Sequence, residues 1–540
     1  MRVPPRPKQN RRNRLFAFPE GLNVSHISRR TRESSLISPA VQGRGKHSNL
    51  FSFLSRERGW AAAGAFTSRR GPGEGTRSGA TRVVSPTVVP RSPLAQADGC
   101  RADWDLGAEL EAPRPQATQS KFPSGFPATR ALLFIMLFAA PLIFGAVQTV
   151  AWTSLAILAS LLLLAWATEN LRSGRIRIAW SPLYVLALAL ILLGGVQLLT
   201  GRALDPGGAR EALLKLATDC IVFFVAVQLW TVGPRHGAPR LRLGAAVSIY
   251  TFLLALFAIL QFFSSKGLIY WRVKTDGWIF GPYVNHNHYA GLMEMLIPVS
   301  LAYAFSQRRK GGMGALLLFG IMLSIASVLL SGSRGGWIAL LLELVALAAT
   351  VIWLRPRDQR RRYAGAGLLA ALALAALALW LGGGKITGRL ASMGGLTRSP
   401  DVALGKRLLV ARDTLRIFRG HLCLGAGLGS FAVVYPQYQS FATNTVYRHA
   451  HNDYLEALAE TGIMGAVLIL FAIFVFFDNT VRDLRARLVT RAGWIQFAAA
   501  VGCCGILVHS LADFNLHIPA NALWFAFLLG VSQAAPYGTV

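Results

Sequence analysis

The chain has 540 residues, of which 53% are hydrophobic and 15% charged, and its mean hydropathy is +0.42. Soluble domains carry roughly 25% charged residues, so this composition argues against a water-soluble enzyme. The formal net charge is +31 at pH 7. Whether that charge indicates a nucleic-acid partner depends on where the basic residues lie along the chain.

Residues 1–125 form a basic and polar leader. Residues 1–130 contain 22 Lys/Arg and 9 Asp/Glu, and the leader is rich in Arg, Ser, Gly and Pro. Because no helical or strand period is sustained there, the segment cannot bury enough apolar surface to offset its ordering entropy, and we expect it to be disordered. It has few aromatic residues on which bases could stack, so we expect no nucleic-acid partner. Its composition also resembles an organelle transit peptide, which leaves open whether it is present in the mature protein.

The rest of the chain contains twelve long apolar runs. Runs of about 16 to 22 residues are long enough to cross a hydrocarbon core of roughly 30 Å as helices. We therefore predict an all-α integral membrane protein with about twelve transmembrane helices embedded in a lipid bilayer. The runs lie at 131–147, 150–168, 182–200, 216–232, 243–264, 289–306, 313–331, 336–354, 364–382, 463–479, 494–512 and 520–535.

Residues 383–462, between the ninth and tenth predicted helices, form a loop that is too long for a simple connector and indicates a functional element. This loop divides the membrane body into residues 131–382, with helices 1 to 9, and residues 463–535, with helices 10 to 12.

Lys and Arg are distributed unevenly between the connections. The five short even-numbered connections contain 18 Lys/Arg, whereas the short odd-numbered connections contain seven. Because basic residues favour the cytoplasmic side of a membrane, we predict that the even-numbered connections and both termini are cytoplasmic. The odd-numbered connections, including the large loop, then face outward.

Two polar motifs lie at outward-facing helix ends. A Gly-Pro turn precedes the sixth helix, which opens with the sequence Asn285-His286-Asn287-His288. One asparagine can cap that helix, and the other side chains can face a substrate. A short connection of Ser and Gly residues around Arg334 joins the seventh and eighth helices. The planar guanidinium of Arg334 offers donors suited to a phosphate.

The large loop contains basic residues and histidines. Arg407 is followed by Arg412, Arg416 and Arg419, and the last three share one helical face that is either solvated or used to bind an anion. The loop ends in His449-Ala450-His451-Asn452, followed by an acidic stripe that a helix N-terminus favours. A histidine beside carboxylates exchanges its proton near neutral pH and suits acid–base chemistry.

Together these motifs resemble the O-antigen ligase and O-antigen polymerase superfamily of bacterial envelope membrane proteins. The resemblance covers about residues 131–535 and rests on Asn285–Gly291, Ser331–Gly335, Gly425–Gly429 and His451-Asn452, which is separated by nine residues from Gly462. Members of this superfamily are inverting glycosyltransferases of the inner membrane that use neither a metal nor another cofactor. They take a glycan from an undecaprenyl diphosphate carrier at the outer face and pass it to a lipid or glycan acceptor. The single large loop favours a ligase over a polymerase by analogy, whereas Gly465, where the family often has Thr, departs from the pattern of a lipopolysaccharide ligase.

Carried over by position, the resemblance implies a role for each candidate residue. His451 is the base near the acceptor hydroxyl, and Arg334 holds the diphosphate together with Arg407 or Arg412. The sequence does not decide between these two arginines. The implied substrate contacts are Asn285, His286, His288, Arg416, Arg419, His449 and Asn452.

Other classes of function stay open. Asp219, Glu294 and Glu343 lie in or near apolar runs, where ionisable groups often mark ion paths, and some members of the superfamily are described as bicarbonate transporters. A polysaccharide polymerase, an exopolysaccharide assembly protein and a purely structural membrane scaffold are further alternatives. A metal site is another, with four imidazoles as ligands, from His286, His288, His449 and His451.

Overall fold

The computed structural model describes residues 126–174, 178–231, 238–275, 277–307, 312–362, 365, 402–443, 446–482 and 484–534. The leader, the first part of the large loop (383–401) and, apart from Gly365, the ninth predicted span (364–382) lie outside these residues. The disorder expected of the leader and the total of twelve spans therefore remain predictions.

The regular secondary structure of the described residues is helical. These residues contain two isolated β-bridges and no β-strand. The longer helices, in chain order, are α1 Pro127–Leu142, α2 Thr149–Arg172, α3 Leu183–Leu199, α4 Pro206–Trp230, α5 Ala238–Ser264, α6 His286–Gln307, α7 Gly312–Ser331, α8 Arg334–Leu354, α9 Val402–Gly420, α10 Asp453–Val481, α11 Arg491–His509 and α12 Pro519–Gln533. One-turn helices lie at Phe144–Ala146, Phe431–Val434, Tyr435–Gln437, Leu484–Arg487 and Asn515–His517.

Eight of these helices are long and apolar enough to cross a membrane, and α1 and α3 are shorter apolar helices. All the predicted spans except the ninth coincide with a helix. The protein is thus a multi-pass helical membrane protein, as its long apolar runs predicted. Helix α9 is different, because it lies in the large loop and carries Arg412, Arg416 and Arg419 on its exposed side, whereas Arg407 lies on another side of the helix.

Side-chain caps set several helix starts. Ser333 accepts a hydrogen bond from Gly336 N (3.2 Å) at the start of α8, and Asn452 accepts one from Leu455 N (3.0 Å) at the start of α10. Each cap satisfies a backbone donor that has no partner within its helix. Helix α10 therefore begins before the predicted span 463–479, and its backbone bends at Gly462 (φ 64°, ψ −162°).

Helices α6 and α11 pack against each other and are the most buried of the candidate spans. Helices α5, α7 and α8 surround this central pair, while α12 packs on α4, and α10 packs on α3 and α9. The outer helices expose apolar side chains, which is the arrangement expected of helices facing lipid.

The odd-numbered connections, predicted to face outward, meet at one end of the bundle. The first touches the fifth through Phe144 and Tyr270, whose rings lie 5.8 Å apart, and the third touches the large loop through Leu204 N and Ala426 O (3.0 Å). Ser333 of the seventh lies 3.5 Å from His509, where the eleventh connection begins. Residues that are far apart in the sequence are thereby brought into one polar region.

Candidate active site

Asp513 lies at the centre of this polar region. It follows α11 and is 1% exposed, yet three cationic or ionisable groups approach its carboxylate. His451 Nδ1 lies 3.6 Å and His288 Nε2 3.9 Å from Oδ1, while Arg407 Nη2 lies 4.0 Å from Oδ2. The carboxylate thus joins α6, α9 and the start of α10 at one point.

The pKa of Asp513 reflects these neighbours. Burial by itself raises the pKa of a carboxyl group, but the nearby imidazole of His451 and the charges of His288, Arg407 and His509 outweigh it. They hold the pKa of Asp513 well below its usual range, so this carboxyl is ionised at neutral pH.

His451 occupies a strained backbone position. Its φ is +53°, which lies in the left-handed region that residues other than glycine rarely adopt. Its Nδ1 is buried against Asp513, whereas the side chain as a whole is 25% exposed. Flanking contacts fix this geometry: Ala450 N donates to Glu456 Oε2 (2.7 Å), and Asn452 Nδ2 donates to Leu511 O (2.8 Å). Strain of this kind persists where surrounding structure enforces it, and it is common at functional sites.

Arg407 is the arginine of α9 that reaches this cluster. Its Nη1 donates to Ala512 O (2.8 Å), which places the guanidinium beside Asp513 while leaving part of it exposed. Arg412, Arg416 and Arg419 lie on the exposed side of α9, and Arg416 pairs with Asp413 (3.1 Å). The contacts of the described residues join Arg407, and not these three, to Asp513.

The asparagine and histidine motif at the start of α6 lies beside Asp513. Asn285 Oδ1 accepts a hydrogen bond from Asn287 N (2.9 Å), and Asn287 Nδ2 donates to Asp513 Oδ2. Asn285 Nδ2 lies 3.4 Å from His288 Nε2, and the ring of His286 packs on that of Trp278. Most of the polar side chains predicted here therefore lie at or beside the cluster.

Arg334 is the first residue of α8 and is half-buried. The residues on both sides of it pack against His509: Ser333 Oγ lies 3.5 Å from His509 Nε2, and a side chain at Gly335 would collide with the imidazole. His509 is in turn held by Glu294, with Nδ1 3.1 Å from both carboxylate oxygens. A buried pair in the bundle thus supports the position of Arg334.

A second polar cluster lies next to the first. His517 Nδ1 is 2.7 Å from Asp453 Oδ1 and its Nε2 is 3.2 Å from Glu456 Oε1, while His449 Nδ1 is 2.8 Å from Glu456 Oε1. Burial lowers the pKa of His517, but the carboxylates of Glu456 and Asp453 outweigh this effect and raise it to about 10. His517 is thus a cation that ties the turn before α12 to the start of α10.

This second cluster also bears on metal binding. The ligand atoms of His449, Glu456 and His517 lie within 4.8 Å of one another, a set that could accept a metal ion. The set differs from the four imidazoles proposed from the sequence. The ring of Phe514 packs on three of those four imidazoles, His449, His288 and His451, at 4.4, 4.8 and 5.0 Å, while His286 packs on Trp278.

The glycine-rich stretch 425–429 packs on the bend of α10. Gly429 N and Phe431 N each donate to the Glu460 carboxylate at 2.9 Å, and Gly427 N donates to Glu460 O at 3.0 Å. Gly462 has a positive φ, and a side chain there would overlap the backbone of Cys423. The segment from His451 to Gly462 is therefore the first part of α10 up to its bend, and the glycine-rich stretch packs against this bend.

Sequence reasoning missed the central residue of the site. Asp513 belongs to a polar stretch, residues 509–519, that offered no motif. The sequence offered one signal for it: Asp513 lies in an outward connection between His509 and His517. Glu294 was noted only as an ionisable group in an apolar run, and its partner His509 gave no sign of the pairing.

The fold and the site define a multi-pass membrane protein with a histidine, arginine and carboxylate cluster at one end of its helices. Residues 319–470 match a family model described as O-Antigen ligase. The match runs from α7 into α10 and includes Arg334, Arg407, the glycine-rich stretch and the His451 to Gly462 segment. It confirms the resemblance to the O-antigen ligase superfamily over that part of the chain. No curated protein matches the chain.

Proposed function

We propose that this protein is a glycosyltransferase that moves a glycan from an undecaprenyl diphosphate carrier to an acceptor hydroxyl, as an O-antigen ligase does. The observation that carries the proposal is the pairing of strained His451 with the buried carboxylate of Asp513, with Arg407 beside them. The family match supports this reaction class in a membrane protein.

The chemistry assigns a task to each residue. Asp513 faces Nδ1 of His451 and favours the tautomer in which Nδ1 carries the proton, so that Nε2 accepts the proton of the acceptor hydroxyl. The acceptor oxygen then bonds to the anomeric carbon as the bond from that carbon to the diphosphate oxygen breaks. Attack opposite the leaving group inverts the anomeric centre.

The leaving diphosphate needs positive charge where its own charge develops. Arg334 and Arg407 supply fixed guanidinium groups, which bind phosphate through paired donors and stabilise the leaving group without a divalent metal. Arg412 is the second choice for the role given to Arg407. The proposal therefore predicts that transfer continues in the presence of EDTA.

The proposal places the protein in the bacterial inner membrane, with both termini cytoplasmic and the Asp513 cluster facing the periplasm. A polymerase or an exopolysaccharide assembly protein of the same superfamily would use the same cluster with a different acceptor. Deleting the gene and identifying the surface polymer that is lost, or left on its lipid carrier, separates these acceptors.

The direct test uses His451→Ala and Asp513→Asn. Loss of the base should lower glycan transfer by about 10²- to 10⁴-fold, because a general base contributes this much. Asp513→Asn should also lower transfer strongly, since an amide cannot stabilise the imidazolium. The measurement is transfer of the accumulated lipid-linked glycan by purified protein in membrane-like particles.

His421→Ala is the matched control, because His421 lies in the same loop at the end of α9, away from the Asp513 contacts. All three variants should be present in the membrane at wild-type amounts. Full transfer activity in His451→Ala would exclude the proposed mechanism.

A small-anion transporter is the alternative of a different class. The observation that bears on it is a set of buried ionisable side chains in the bundle. Glu294 and His509 are paired, and both carboxylate oxygens of Glu343 are buried without a hydrogen-bond partner among the described residues. Ionisable groups in a span often mark ion paths. Carboxylates repel an anion when ionised, however, so this group fits a proton or cation better than bicarbonate. Uptake of labelled bicarbonate by proteoliposomes tests the alternative.

A further inference from the structure

The connection before α6 contains a hairpin that is anchored in the bundle. Phe280 and Tyr283 pair through two backbone hydrogen bonds (3.3 and 3.2 Å), and both side chains are buried. Tyr283 donates to Asn521 Oδ1 of α12 (2.8 Å), and Gln261 of α5 donates to Gly281 O (2.6 Å). The turn of the hairpin is therefore fixed to two helices.

Trp278 stands at the open end of this hairpin. Its carbonyl accepts a hydrogen bond from His286 N (2.9 Å), and its ring packs on the imidazole of His286 with centroids 5.0 Å apart. Even so, Trp278 is 45% exposed. The exposed part of the indole is thus held by a hairpin that is fixed to two helices, which lowers the entropic cost of ordering this side chain around a ligand.

The surroundings of Trp278 lead to the reaction centre. His286 is followed by Asn287, whose side chain donates to Asp513, and Asp513 faces His451. Trp278 is therefore connected to the proposed base through His286, its neighbour Asn287, and Asp513. A pyranose ring has an apolar face of C–H groups that stacks on an indole, and hydroxyls that suit polar neighbours.

Trp271, in the same connection, provides a contrast. It is also 45% exposed, but its ring packs on Phe257 (5.9 Å), and its Nε1 donates to Ser264 Oγ at the end of α5 (2.9 Å). Trp271 therefore lies in an apolar aromatic group, as expected of a residue that anchors a helix end at a membrane surface.

We propose that Trp278, on its anchored hairpin, is a stacking platform for a sugar ring of the glycan next to the bond that forms or breaks. This inference rests on the proposed glycan transfer and identifies the part of the protein that binds the glycan. The sugar belongs either to the lipid-linked donor or to the acceptor, and kinetics distinguish the two.

The test compares Trp278→Ala, Trp278→Phe and the matched control Trp271→Ala in the full-length protein. The donor is the lipid-linked glycan purified from cells lacking the protein, and the acceptor is the lipid fraction of the same cells after this donor has been removed. Trp278→Ala should raise the KM for one of them by about two- to tenfold, the effect of losing one aromatic contact, with kcat little changed. Trp278→Phe should restore most of the affinity, and Trp271→Ala should leave both KM values unchanged.

A rise in the donor KM assigns the platform to the donor glycan, and a rise in the acceptor KM assigns it to the acceptor. Unchanged KM values for Trp278→Ala would overturn the inference, as would equal effects of Trp278→Ala and Trp271→Ala, which would indicate membrane anchoring. His451→Ala, assayed in parallel, separates the two levels of the argument: if it retains full transfer, the proposed function itself fails.

Discussion

At the scale of single residues, the contacts around Asp513 show how a buried carboxylate is held at the candidate site. Asp513 is buried, but the guanidinium of Arg407 and the side-chain amide of Asn287 lie at its carboxylate, so its negative charge is compensated without exposure to solvent. A buried carboxylate with fewer partners would be costly. Arg407 is tied to the backbone at Ala512 yet keeps an exposed portion, which is consistent with the proposed contact between its guanidinium and the diphosphate.

The choice between Arg407 and Arg412 gives a prediction at this scale. Arg407→Ala should lower glycan transfer by about 10²-fold or more, because it removes charge that is fixed beside the leaving group. Arg412→Ala should have a small effect, since Arg412 lies on the exposed side of α9. Arg407→Lys should recover only part of the activity, because an ammonium lacks the planar pair of donors. Initial rates of transfer measure all three, and a larger loss in Arg412→Ala would reverse the assignment.

At the scale of elements, buried pairs connect the helices that carry the site. The pair between Glu294 of α6 and His509 of α11 lies beneath the start of α8, and both side chains are almost fully buried. A second connection, from His517 to Asp453 and Glu456, ties the turn before α12 to α10. These contacts fix the relative positions of helix ends that carry Arg334, His451 and Asp513.

Breaking the Glu294 and His509 pair should destabilise the bundle. Glu294→Leu leaves a buried imidazole without its carboxylate, and removing one partner of a buried pair typically costs about 3–5 kcal/mol. The double variant with His509→Leu should recover much of that loss, because it leaves no uncompensated polar group. Unfolding in mixed detergent micelles measures the free energy of each variant. A double variant as unstable as Glu294→Leu would show that the cost comes from packing.

The His517 connection predicts a dependence of stability on pH. Its pKa is about 10 in the folded protein and near 6.5 when unfolded, so the stabilisation is fully present below pH 6.5 and is lost as pH rises toward 10. The thermal unfolding temperature should therefore fall across this window, and His517→Gln should show a smaller fall. The comparison is made in one detergent at constant ionic strength, and parallel curves for the two proteins would contradict the assignment.

At the scale of the whole molecule, the odd-numbered connections converge at one end of the helices, and the cationic and acidic groups of the site meet there. Sequence charge bias assigns this end to the outside of the membrane. A lipid-linked diphosphate would reach such a site from the bilayer surface, with its hydrocarbon chain remaining in the lipid.

Single cysteines placed in a cysteine-free background test this orientation. Gln437→Cys, in the large loop, should react with a membrane-impermeant thiol reagent in intact spheroplasts, whereas Ala486→Cys, in the connection between α10 and α11, should react only after lysis. Both positions are exposed in the structure, so a difference in labelling reports the side of the membrane. The reverse pattern would place the Asp513 cluster on the cytoplasmic side and contradict the proposed donor.

The sequence by itself determined the helices and much of the site composition, because apolar runs and helix caps are local properties. The runs predicted the described spans, and the residue types around His451, Arg334 and Arg407 are those on which the proposed chemistry depends. Asn285 accepts a hydrogen bond from Asn287 N at the start of α6, which is the kind of cap that the motif predicted.

Only the tertiary structure decided which of these residues meet. Asp513 joins His451, and Arg407 rather than Arg412 turns toward it, through contacts such as Arg407 to Ala512 across 105 residues of sequence. Such pairings depend on the rotation and depth at which α9, α10 and α11 pack, and no local pattern encodes these. The left-handed backbone at His451 is flanked by one local hydrogen bond, from Ala450 to Glu456, and by one from Asn452 to Leu511 across 59 residues, and this second contact exists only in the folded chain.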